Sequence, residues 1–441
     1  MSTQKTVAFQ TLGCKVNQNE SEALAALFQE QGYEVVGPEE KADIYVINTC
    51  TVTHLADRKS RQMIRRATRA NPKAKVVVMG CYAQTSPEEV EKISGVDLVV
   101  GTSERSKIID YLSQIREQSA GPLSIVKEIS KQQVFEDIDL EKLTGRARAY
   151  LKVQEGCEQY CAYCIIPYAR GPIRSRPLAD TLREVEKLIA AGFKEIILTG
   201  IHLGAYGRDL DEGLYLDDLL ERLLPLDPSV RWRLSSLEPT ELTPKLISLM
   251  KENDNFCPHL HLPLQNGADE ILQTMKRPYT TTDYAEVISR IRKELPKVNI
   301  STDIMVGFPG ETEEHFNQTL RFVESMGFGR LHVFQYSPRR GTPAAEYPKQ
   351  VAPQLKEERS RRLIDLGHKL AKTYGELFIG KELQVLVEKE LEKGKWEGHS
   401  ENYLKVHFSY EPLTPHEHRQ IIPVIVRSAG VDLVKGVVQT L

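Results

Sequence analysis

The sequence has no long apolar run and almost no net charge, and the first of these absences excludes a class of protein. No stretch of the 441 residues approaches the roughly 20 consecutive apolar residues that a membrane-spanning helix needs. The first ten residues contain no apolar segment behind a basic patch, so we expect no signal peptide and a cytoplasmic location. The formal net charge is -3, which neither indicates nor excludes a nucleic-acid partner because binding depends on where positive charges cluster.

Cysteine is also scarce, with seven residues in the whole chain, an odd number. A chain of this length without a secretory signal is a poor candidate for a disulfide framework, so metal ligation or catalysis remains for these thiols. The length suggests roughly three domains at about 150 residues each. Hydrophobic residues make up 41% of the chain, enough for substantial cores.

Residues 1–118 alternate short apolar runs with amphipathic stretches and predict an open, doubly wound parallel α/β sheet. The expected strands are 6–12, 43–47, 75–79 and 96–100, with helices over 19–31 and 58–70. Cys14, Cys50 and Cys81 follow the first, second and third of these strands. Because open α/β sheets place their sites at the carboxyl edge of the strands, the three thiols are expected to converge. Residues 119–143 lose the periodicity and are predicted as a linker with room for one strand.

Residues 144–374 form a second α/β series, for which we predict a partial (β/α)6 barrel. Helices are expected over 178–191, 243–253 and 284–294, the second with Thr243 as its N-cap and Pro244 at its first position. Six strand–helix units are too few for a closed eight-fold barrel, and the site of such a barrel lies on the loops after its strands. The expected strands are 149–154, 195–198, 232–235, 259–262, 300–305 and 331–334.

Residues 375–441 change character once more and predict a small antiparallel β-barrel. A charged helix over 354–378 leads into four short apolar runs at 383–388, 404–408, 421–427 and 433–440. Glycine and proline separate these runs, which is typical of short strands joined by turns.

Cys157, Cys161 and Cys164 form the most informative segment, with CxxxCxxC spacing on a loop after a predicted strand. Three thiolates within eight residues can bind three irons of a four-iron cluster and leave the fourth iron without a protein ligand. The alternative is a zinc knuckle, which needs a fourth Cys or His, and none follows Cys164 until His202. An open iron can chelate S-adenosylmethionine, whose reductive cleavage gives a 5′-deoxyadenosyl radical.

This spacing resembles the radical S-adenosylmethionine superfamily, in which an aromatic residue, here Tyr163, commonly precedes the third cysteine and packs near the cofactor adenine. The resemblance implies further cofactor contacts at the ends of successive barrel strands. Glycines there allow close backbone approach to a ligand, and Glu311 is expected to cap the next helix. The implied cofactor-binding residues are Thr199, Gly200, His202, Ser235, Glu238, Gln265, Asp303, Gly307 and Phe308.

The three earlier cysteines lie in sequence motifs that resemble those of the methylthiotransferases: Leu-Gly-Cys14-Lys-Val-Asn-Gln, Asn-Thr-Cys50-Thr-Val-Thr and Gly-Cys81-Tyr-Ala-Gln. The resemblance covers essentially the whole chain and includes a carboxy-terminal RNA-binding TRAM barrel. It implies that Cys14, Cys50 and Cys81 hold a second [4Fe–4S] cluster, also with an open iron. Cys257 belongs to neither set and is interpreted as structural.

The resemblance also supplies a reaction, the replacement of an unactivated C–H hydrogen by a methylthio group with two S-adenosylmethionine molecules per turnover. An aromatic C–H is too weakly acidic for a side-chain base, so a radical must abstract its hydrogen. The motifs look most like the branch that modifies tRNA carrying N6-threonylcarbamoyladenosine at position 37, on carbon 2 of the adenine. A branch acting on a ribosomal-protein aspartate shares all six cysteines and remains an alternative, as does a non-catalytic zinc- and RNA-binding protein.

Partners beyond the tRNA are expected to include a reductant protein such as flavodoxin or ferredoxin, while the sulfur donor is left open. Arg170, Arg174 and Arg176, just after the radical-forming cysteines, are predicted to contact RNA phosphates. A second basic run close behind Cys50 is either another phosphate-binding face or a solvated helix face. In the carboxy-terminal barrel, Trp396, Tyr403 and Phe408 are the rings expected to stack on RNA bases.

Overall fold

The computed structural model of the chain describes residues 4–115, 121–138, 147–211, 213–411 and 419–438. Within these ranges the molecule consists of a parallel sheet, a curved half-barrel and a small closed β-barrel, in that order along the chain. No helix in these ranges is long and apolar enough to cross a lipid bilayer.

The first unit is a six-stranded parallel sheet with the order β2-β1-β3-β4-β5-β6. Its strands are β1 (Thr6–Thr11), β2 (Glu34–Val36), β3 (Ile44–Thr49), β4 (Lys75–Gly80), β5 (Leu98–Val100) and β6 (Leu123–Ile125). Its helices are α1 (Lys15–Glu30), α2 (His54–Ala70), α3 (Cys81–Thr85), α4 (Pro87–Glu91) and α5 (Ile108–Gln114).

Both faces of this sheet are covered, because successive strand residues point to opposite sides. Val76 and Val78 pack with Ile64 of α2 on one face, whereas Val77 packs with Leu24 of α1 on the other. The predicted doubly wound sheet is therefore confirmed. The strand order reverses between β1 and β3, which is where sheets of this type open a ligand-binding crevice.

The sheet has two edge strands that the sequence patterns did not resolve, β2 and β6. Each has three residues, too few to show the alternation by which strands are recognised. Strand β6 lies inside the segment expected to be a linker and pairs with β5. The first sheet therefore extends past residue 118, and part of the expected linker completes its edge. The rest of that linker includes residues 116–120 and 139–146, which lie outside the described residues.

The second unit contains all six predicted parallel strands, arranged as a half-barrel. A two-residue strand, β8 (Arg174–Ser175), pairs antiparallel with the first of them. Isolated bridges from Trp232 to Phe256 and from Ser236 to His261 join the two halves into one curved surface. The six parallel strands are β7 (Ala149–Glu155), β9 (Glu195–Gly200), β10 (Arg231–Leu234), β11 (His259–His261), β12 (Asn299–Val306) and β13 (Arg330–Gln335).

Helices cover the outside of the half-barrel and enclose its largest apolar core. The predicted cap is confirmed, because the Thr243 side chain accepts a hydrogen bond from the Leu246 amide at the start of the fourth of these helices. The helices are α6 (Ile166–Arg170), α7 (Leu178–Ala190), α8 (Leu216–Leu223), α9 (Pro244–Glu252), α10 (Asp269–Thr274), α11 (Thr281–Glu294), α12 (Glu313–Met326) and α13 (Pro353–Glu376).

The third unit is a closed five-stranded barrel with the order β14-β15-β16-β18-β17. Its strands are β14 (Glu382–Glu392), β15 (Lys395–Ser400), β16 (Lys405–Ser409), β17 (Ile421–Ala429) and β18 (Val434–Val438). The barrel was expected to be antiparallel, and four of its five pairings are, but β16 and β18 run parallel where the barrel closes. Strand β15 was missed because its sequence, KWEGHS, has almost no apolar residues.

The first sheet packs on the half-barrel through residues that follow strands in both units. Thr102, after β5, donates its hydroxyl hydrogen to the Ala169 carbonyl at 2.6 Å. Arg339, after β13, donates to the Thr51 hydroxyl at 2.7 Å and to the Asp57 carboxylate at 2.6 Å. The carboxyl edges of the two sheets therefore meet, and the cysteine-bearing loops lie near their junction.

Candidate active site

A cavity of about 750 Å3 lies where the three units meet. The first sheet contributes the loop around Cys14, the half-barrel contributes its inner face, and the carboxy-terminal barrel contributes Tyr403. Four of the predicted cofactor-binding residues line this cavity: Thr199, Gly200, Ser235 and Asp303. The remaining lining residues are Gly13, Lys15, Val16, Ser236, His259, His261, Asn299, Ser301, Arg330, His332 and Phe334.

Cys14, Cys50 and Cys81 converge although they are far apart in sequence. The Cys14 thiol donates to Asn17 Oδ1 at 3.5 Å, and the same oxygen accepts from Arg170 at 2.7 Å. Arg170 Nε in turn donates to Cys81 Sγ at 3.1 Å. A Cβ built on Gly13 would lie 3.1 Å from the Cys50 Cβ, so the second thiol-bearing loop packs directly on the first. The sheet topology therefore gathers the three cysteines around one guanidinium group.

Arg170 is fully buried, and its charge is balanced inside the protein. Its guanidinium contacts the Glu20 carboxylate and lies 2.8 Å from the Glu155 carboxylate. Arg105 contacts the same two carboxylates. Burial by itself would raise the pKa of Glu20, but Arg105, Arg170 and Lys152 outweigh it and hold that pKa at about 2. This ion network joins the first sheet to the half-barrel directly beneath Cys81.

The prediction that Arg170, Arg174 and Arg176 contact RNA is contradicted by their burial. Arg174 donates to the carbonyls of Pro172 and Arg170, both at 2.9 Å. Arg176 pairs with Asp137 at 2.8 Å. All three side chains lie among protein atoms with no more than 3% exposure, so they cannot reach a phosphate on the surface. Their hydrogen bonds and ion pairs instead join parts of the protein to one another.

Cys157, Cys161 and Cys164 lie on the loop after β7, which turns at Gly156. The Gly156 backbone has φ +78°, and a Cβ there would lie 1.8 Å from the Pro172 carbonyl oxygen, so only glycine fits. The Cys157 amide donates to the Gly171 carbonyl at 3.0 Å, and the Cys164 amide donates to the Cys161 carbonyl at 2.9 Å. Backbone hydrogen bonds therefore hold the loop, and the Ile166 amide also bonds to the Cys164 thiol.

Arg277 contacts this loop and was not identified from the sequence. Its guanidinium donates to Cys161 Sγ at 3.3 Å and also contacts the Glu238 carboxylate and the Tyr279 hydroxyl. Glu238, expected to bind the cofactor, is thus paired with an arginine. No sequence pattern marks Arg277, because it lies in the short connection after α10 and reaches the loop only through the fold.

The turn after β9 is fixed by Gln154, a second residue that the sequence analysis missed. Its side chain accepts from the His202 amide at 2.7 Å and donates to the Glu155 and Gly156 carbonyls. The His202 ring nitrogen Nδ1 lies 3.7 Å from Cys157 Sγ. The structure therefore brings the predicted residues Gly200 and His202 against the cysteine loop.

Tyr163 and Phe308 form an aromatic wall beside the same loop, with ring centroids 6.5 Å apart in an edge-on arrangement. Phe308 follows Gly307, whose φ of +73° fits the close approach of the Lys356 side chain. Glu311 accepts from the Gly307 amide at 3.0 Å and pairs with buried Arg359. Glu311 thus holds the preceding loop.

The expectation that Glu311 caps helix α12 is wrong. The N-cap is Thr312, whose hydroxyl accepts from the His315 amide. Threonine is a preferred N-cap residue and glutamate is not, because the shorter threonine side chain reaches the amides of the first helical turn.

Two predicted cofactor-binding residues have buried polar atoms without a hydrogen-bond partner among the described residues, Ser235 Oγ and Gln265 Oε1. Gln265 also has a φ of +68°, an unusual conformation for a residue with a side chain. A buried polar atom left unpaired costs about 1–3 kcal/mol, so such atoms point to a missing partner. Both residues follow strands of the half-barrel, and their unused hydrogen-bonding atoms fit a polar ligand there.

The thiols of the two cysteine sets are the kind of donor that binds a metal centre. Within the described ranges, no three His, Cys, Asp or Glu side chains are gathered closely enough to hold one metal ion. Burial raises the pKa of Cys50 and Cys161, and raises the pKa of Cys81 to about 12. These thiols stay protonated without a metal, because only a bound cation can make the thiolate favourable in such surroundings.

Two family models match the chain over the units described above. The Radical SAM superfamily matches residues 151–323, the half-barrel, and the uncharacterized protein family UPF0004 matches residues 6–101, the first sheet. The boundaries of both matches enclose one cysteine set each.

Curated relatives match nearly the whole chain. A threonylcarbamoyladenosine tRNA methylthiotransferase MtaB from Bacillus subtilis (strain 168) is 45% identical over 91% of this chain and 90% of its own length. A protein of the same name from Aquifex aeolicus (strain VF5) is 42% identical over 87% of this chain and 93% of its own. A tRNA-2-methylthio-N(6)-dimethylallyladenosine synthase from Moorella thermoacetica is 37% identical over 88% of both chains.

Among solved structures, the chain is similar in fold to the radical S-adenosylmethionine methyltransferase TsrM from Kitasatospora setae, determined with cobalamin and a [4Fe–4S] cluster. The TM-score is 0.58 at 16% sequence identity, covering 78% of this chain and 77% of TsrM. From the identity and coverage of its curated relatives, and from the domain that carries Cys157, Cys161 and Cys164, the chain belongs to the radical S-adenosylmethionine methylthiotransferases.

Proposed function

We propose that this enzyme converts N6-threonylcarbamoyladenosine, immediately 3′ of the anticodon in tRNA, to its 2-methylthio derivative. The observation that carries the proposal is the meeting of the two cysteine sets at one junction. Cys14 lines the cavity that also contains Thr199 and Gly200, whose turn continues to His202 beside Cys157. A reaction that needs a radical and a sulfur atom at the same carbon requires this proximity.

The superfamily implies a [4Fe–4S] cluster and S-adenosylmethionine as cofactors. Cys157, Cys161 and Cys164 would hold this cluster. Cys14, Cys50 and Cys81 would hold a second, which is the finer part of the proposal. When bound, these groups and two S-adenosylmethionine molecules supply hydrogen abstraction, the sulfur and the methyl group. Three cysteines in each set match three irons of a four-iron cluster, because each thiolate of a cluster binds a different iron.

The protein's own residues provide the surroundings for this chemistry. Ser235 Oγ and Gln265 Oε1 are free to bind polar groups of S-adenosylmethionine. Tyr163 and Phe308 offer an apolar wall suited to its adenine ring. Arg277 donates a hydrogen bond to Cys161 Sγ and so fixes the orientation of that ligand.

The exposed basic side chains of α2 are the remaining candidates for phosphate contacts. Arg58, Arg65 and Arg69 are exposed, and the helix follows the loop that carries Cys50. Binding through such residues should weaken as the salt concentration rises, because each phosphate contact releases condensed counterions. The other basic residues of this run are Lys59, Arg61, Arg66, Lys73 and Lys75.

A flavodoxin or ferredoxin remains the proposed electron donor.

The test is an anaerobic assay of the reconstituted enzyme with tRNA that carries the threonylcarbamoyl modification, followed by mass spectrometry of the nucleosides. We expect the 2-methylthio product, and about eight irons per chain from two four-iron clusters. Parallel reactions use tRNA with a dimethylallyl group and a ribosomal protein. Methylthiolation of either of these alone would contradict the proposal, as would a colourless protein that binds zinc and cleaves no S-adenosylmethionine.

A further inference from the structure

Two cations that line the cavity, Lys15 and Arg330, form no ion pair with a carboxylate in the part of the chain that the structure describes. Lys15 is the first residue of α1 and directly follows Cys14, and its side chain lines the cavity. Its ammonium nitrogen lies 5.8 Å from the centroid of the Tyr403 ring. Arg233 and Arg148 add positive charge nearby, and Glu195 acts on Lys15 electrostatically but forms no ion pair with it among the described residues. The carboxylate that lines the same cavity, Asp303, lies 3.3 Å from His261 Nε2. Lys15 is therefore available to an anion brought in by a ligand.

Tyr403 closes the cavity opposite this lysine and comes from the carboxy-terminal barrel. It lies in the turn between β15 and β16 with a φ of +65°, a strained conformation for a tyrosine. The His259 ring lies against it with centroids 4.6 Å apart, and the Arg233 guanidinium lies 4.5 Å from its centroid. The ring is therefore fixed by packing and presents an aromatic surface to the cavity.

The cavity wall also has unused hydrogen-bonding capacity. His259 Nδ1 and Asn299 Oδ1 are buried and have no hydrogen-bond partner among the described residues. Both residues line the cavity with Lys15. A cation, an acceptor and a ring nitrogen on one wall fit a ligand that carries a carboxylate together with amide-like donors and acceptors.

The relatives of this chain act on two kinds of modified adenosine that differ in this respect. A threonylcarbamoyl group carries a carboxylate and a urea-like linkage, whereas a dimethylallyl group is apolar and uncharged. On adenine, carbon 2 and the carbon that bears N6 both flank N1, so the N6 substituent lies near the edge that reacts. A residue next to Cys14 is therefore well placed to contact that substituent.

We propose that Lys15 is a specificity-determining residue that pairs with the carboxylate of the threonylcarbamoyl group, with Tyr403 and His259 forming the adjoining wall. This assignment rests on the proposed function. It gives the carboxy-terminal barrel a role inside the substrate cavity through Tyr403. Recognition of this kind admits the anionic substituent and leaves a half-buried ammonium without an anion when the substituent is apolar, which disfavours the wrong substrate.

The test compares RNA binding by the reconstituted enzyme and its Lys15→Gln variant. The probe is an anticodon stem–loop RNA carrying N6-threonylcarbamoyladenosine, and its matched control is the same RNA with the threonyl carboxylate as a methyl ester. We expect Lys15→Gln to bind the carboxylate RNA about tenfold to hundredfold more weakly, since a charge-assisted contact is lost. Binding of the ester RNA should change little. Iron content is measured for both proteins, because Lys15 neighbours Cys14.

Two further comparisons keep the assignment testable if Lys15→Gln disturbs the fold. The unaltered enzyme should itself bind the ester RNA about tenfold or more weakly than the carboxylate RNA. Arg330→Gln removes the other cation that lines the cavity, and we expect it to discriminate between the two RNAs as the unaltered enzyme does.

Three results would overturn the assignment. Equal losses with both RNAs, or an equal loss of S-adenosylmethionine affinity, would place the carboxylate of the cofactor on Lys15 instead. The same selective loss in Arg330→Gln would assign the effect to the general charge of the cavity. Unchanged discrimination in an iron-replete Lys15→Gln variant would remove Lys15 from substrate recognition. If the unaltered enzyme forms no 2-methylthio product from the carboxylate RNA, the proposed function itself fails, which is a separate outcome.

Discussion

Arg170 Nε donates a hydrogen bond to Cys81 Sγ at 3.1 Å, across 89 positions of sequence and across the interface between the first sheet and the half-barrel. The same guanidinium binds Glu20 of α1 and Glu155 of β7. One buried side chain therefore ties a cysteine of the first set to the strand that leads into the second set. The distance between the two sets depends on this interface.

The two cysteine sets should separate two steps of the reaction. We expect Cys161→Ala to abolish S-adenosylmethionine cleavage, whereas Cys50→Ala should keep some cleavage and lose sulfur insertion. Each variant should retain about half of the iron, since one of two four-iron clusters is lost. The measurements are 5′-deoxyadenosine release and nucleoside mass spectrometry. Unimpaired methylthio product from Cys50→Ala would contradict the assignment, and Cys257→Ala, in the buried cysteine outside both sets, is the matched control.

Removal of Arg170 should destabilise the protein strongly. In Arg170→Met the Cys81, Asn17 and carboxylate contacts are lost inside a buried network, and removal of one partner from such a network costs about 3–5 kcal/mol. The free energy of unfolding is measured with urea. Arg66→Met is the control, since Arg66 pairs with Glu39 on the surface and exposed pairs contribute little. A similar loss of unfolding free energy in Arg170→Met and Arg66→Met would show that the buried network is not a significant source of stability.

The Glu20 carboxylate should make stability depend on pH at the acidic end. The folded state holds the pKa of Glu20 at about 2, below its ordinary 4.5, because Arg105, Arg170 and Lys152 outweigh the effect of burial. A group whose pKa is lowered by folding stabilises the protein above its unfolded pKa and loses that contribution as the pH falls through the folded value. The stability advantage of the unaltered protein over Glu20→Gln should therefore be full at pH 6 and should shrink between about pH 4.5 and 2. Thermal unfolding of the metal-free proteins measures this difference, and a constant difference across that range would contradict it.

Gly156→Ala should disrupt the cysteine loop selectively. A Cβ there would lie 1.8 Å from the Pro172 carbonyl oxygen, so the backbone that carries Cys157 must move. We expect loss of iron at this set and loss of S-adenosylmethionine cleavage. Gly192→Ala is the control, because Gly192 also has a positive φ, +84°, but has no atom within 4 Å of a built Cβ. That variant should lose only about 1–2 kcal/mol of stability from backbone strain and should keep its iron. Full iron in Gly156→Ala would contradict the prediction.

Several features of the fold follow from local patterns and were correctly predicted from the sequence. The runs that became β3 and β4 are apolar and six residues long, and Thr243 before Pro244 marks a helix start without help from the rest of the chain. The strands β2 and β15 were missed because each is short or polar and is recognised only by the neighbour with which it pairs. Strand β6 lies in the expected linker, where the sequence left room for one strand without giving its position.

Charge and aromaticity were less reliable guides, because their meaning depends on burial. Trp396 and Phe408, expected to stack on bases, are 8% and 4% exposed and belong to the core of the carboxy-terminal barrel. Tyr403, from the same set, does line the cavity between the three units. No spacing rule separates these three rings, since a turn of positive φ and the docking of the barrel decide which one faces the cavity.

By itself, the sequence determined the order of the three units, the strand that precedes each cysteine, and the chemistry that thiols at CxxxCxxC spacing can perform, because these depend on neighbouring residues. Only the tertiary structure decided that Arg170 lies beneath Cys81 and not on an RNA phosphate, that Arg277 and Gln154 hold the loop around Cys157, and that Lys15 faces an open cavity. The physical reason is that the role of a charged or polar side chain is set by its desolvation and its partners, and both come from parts of the chain distant in sequence.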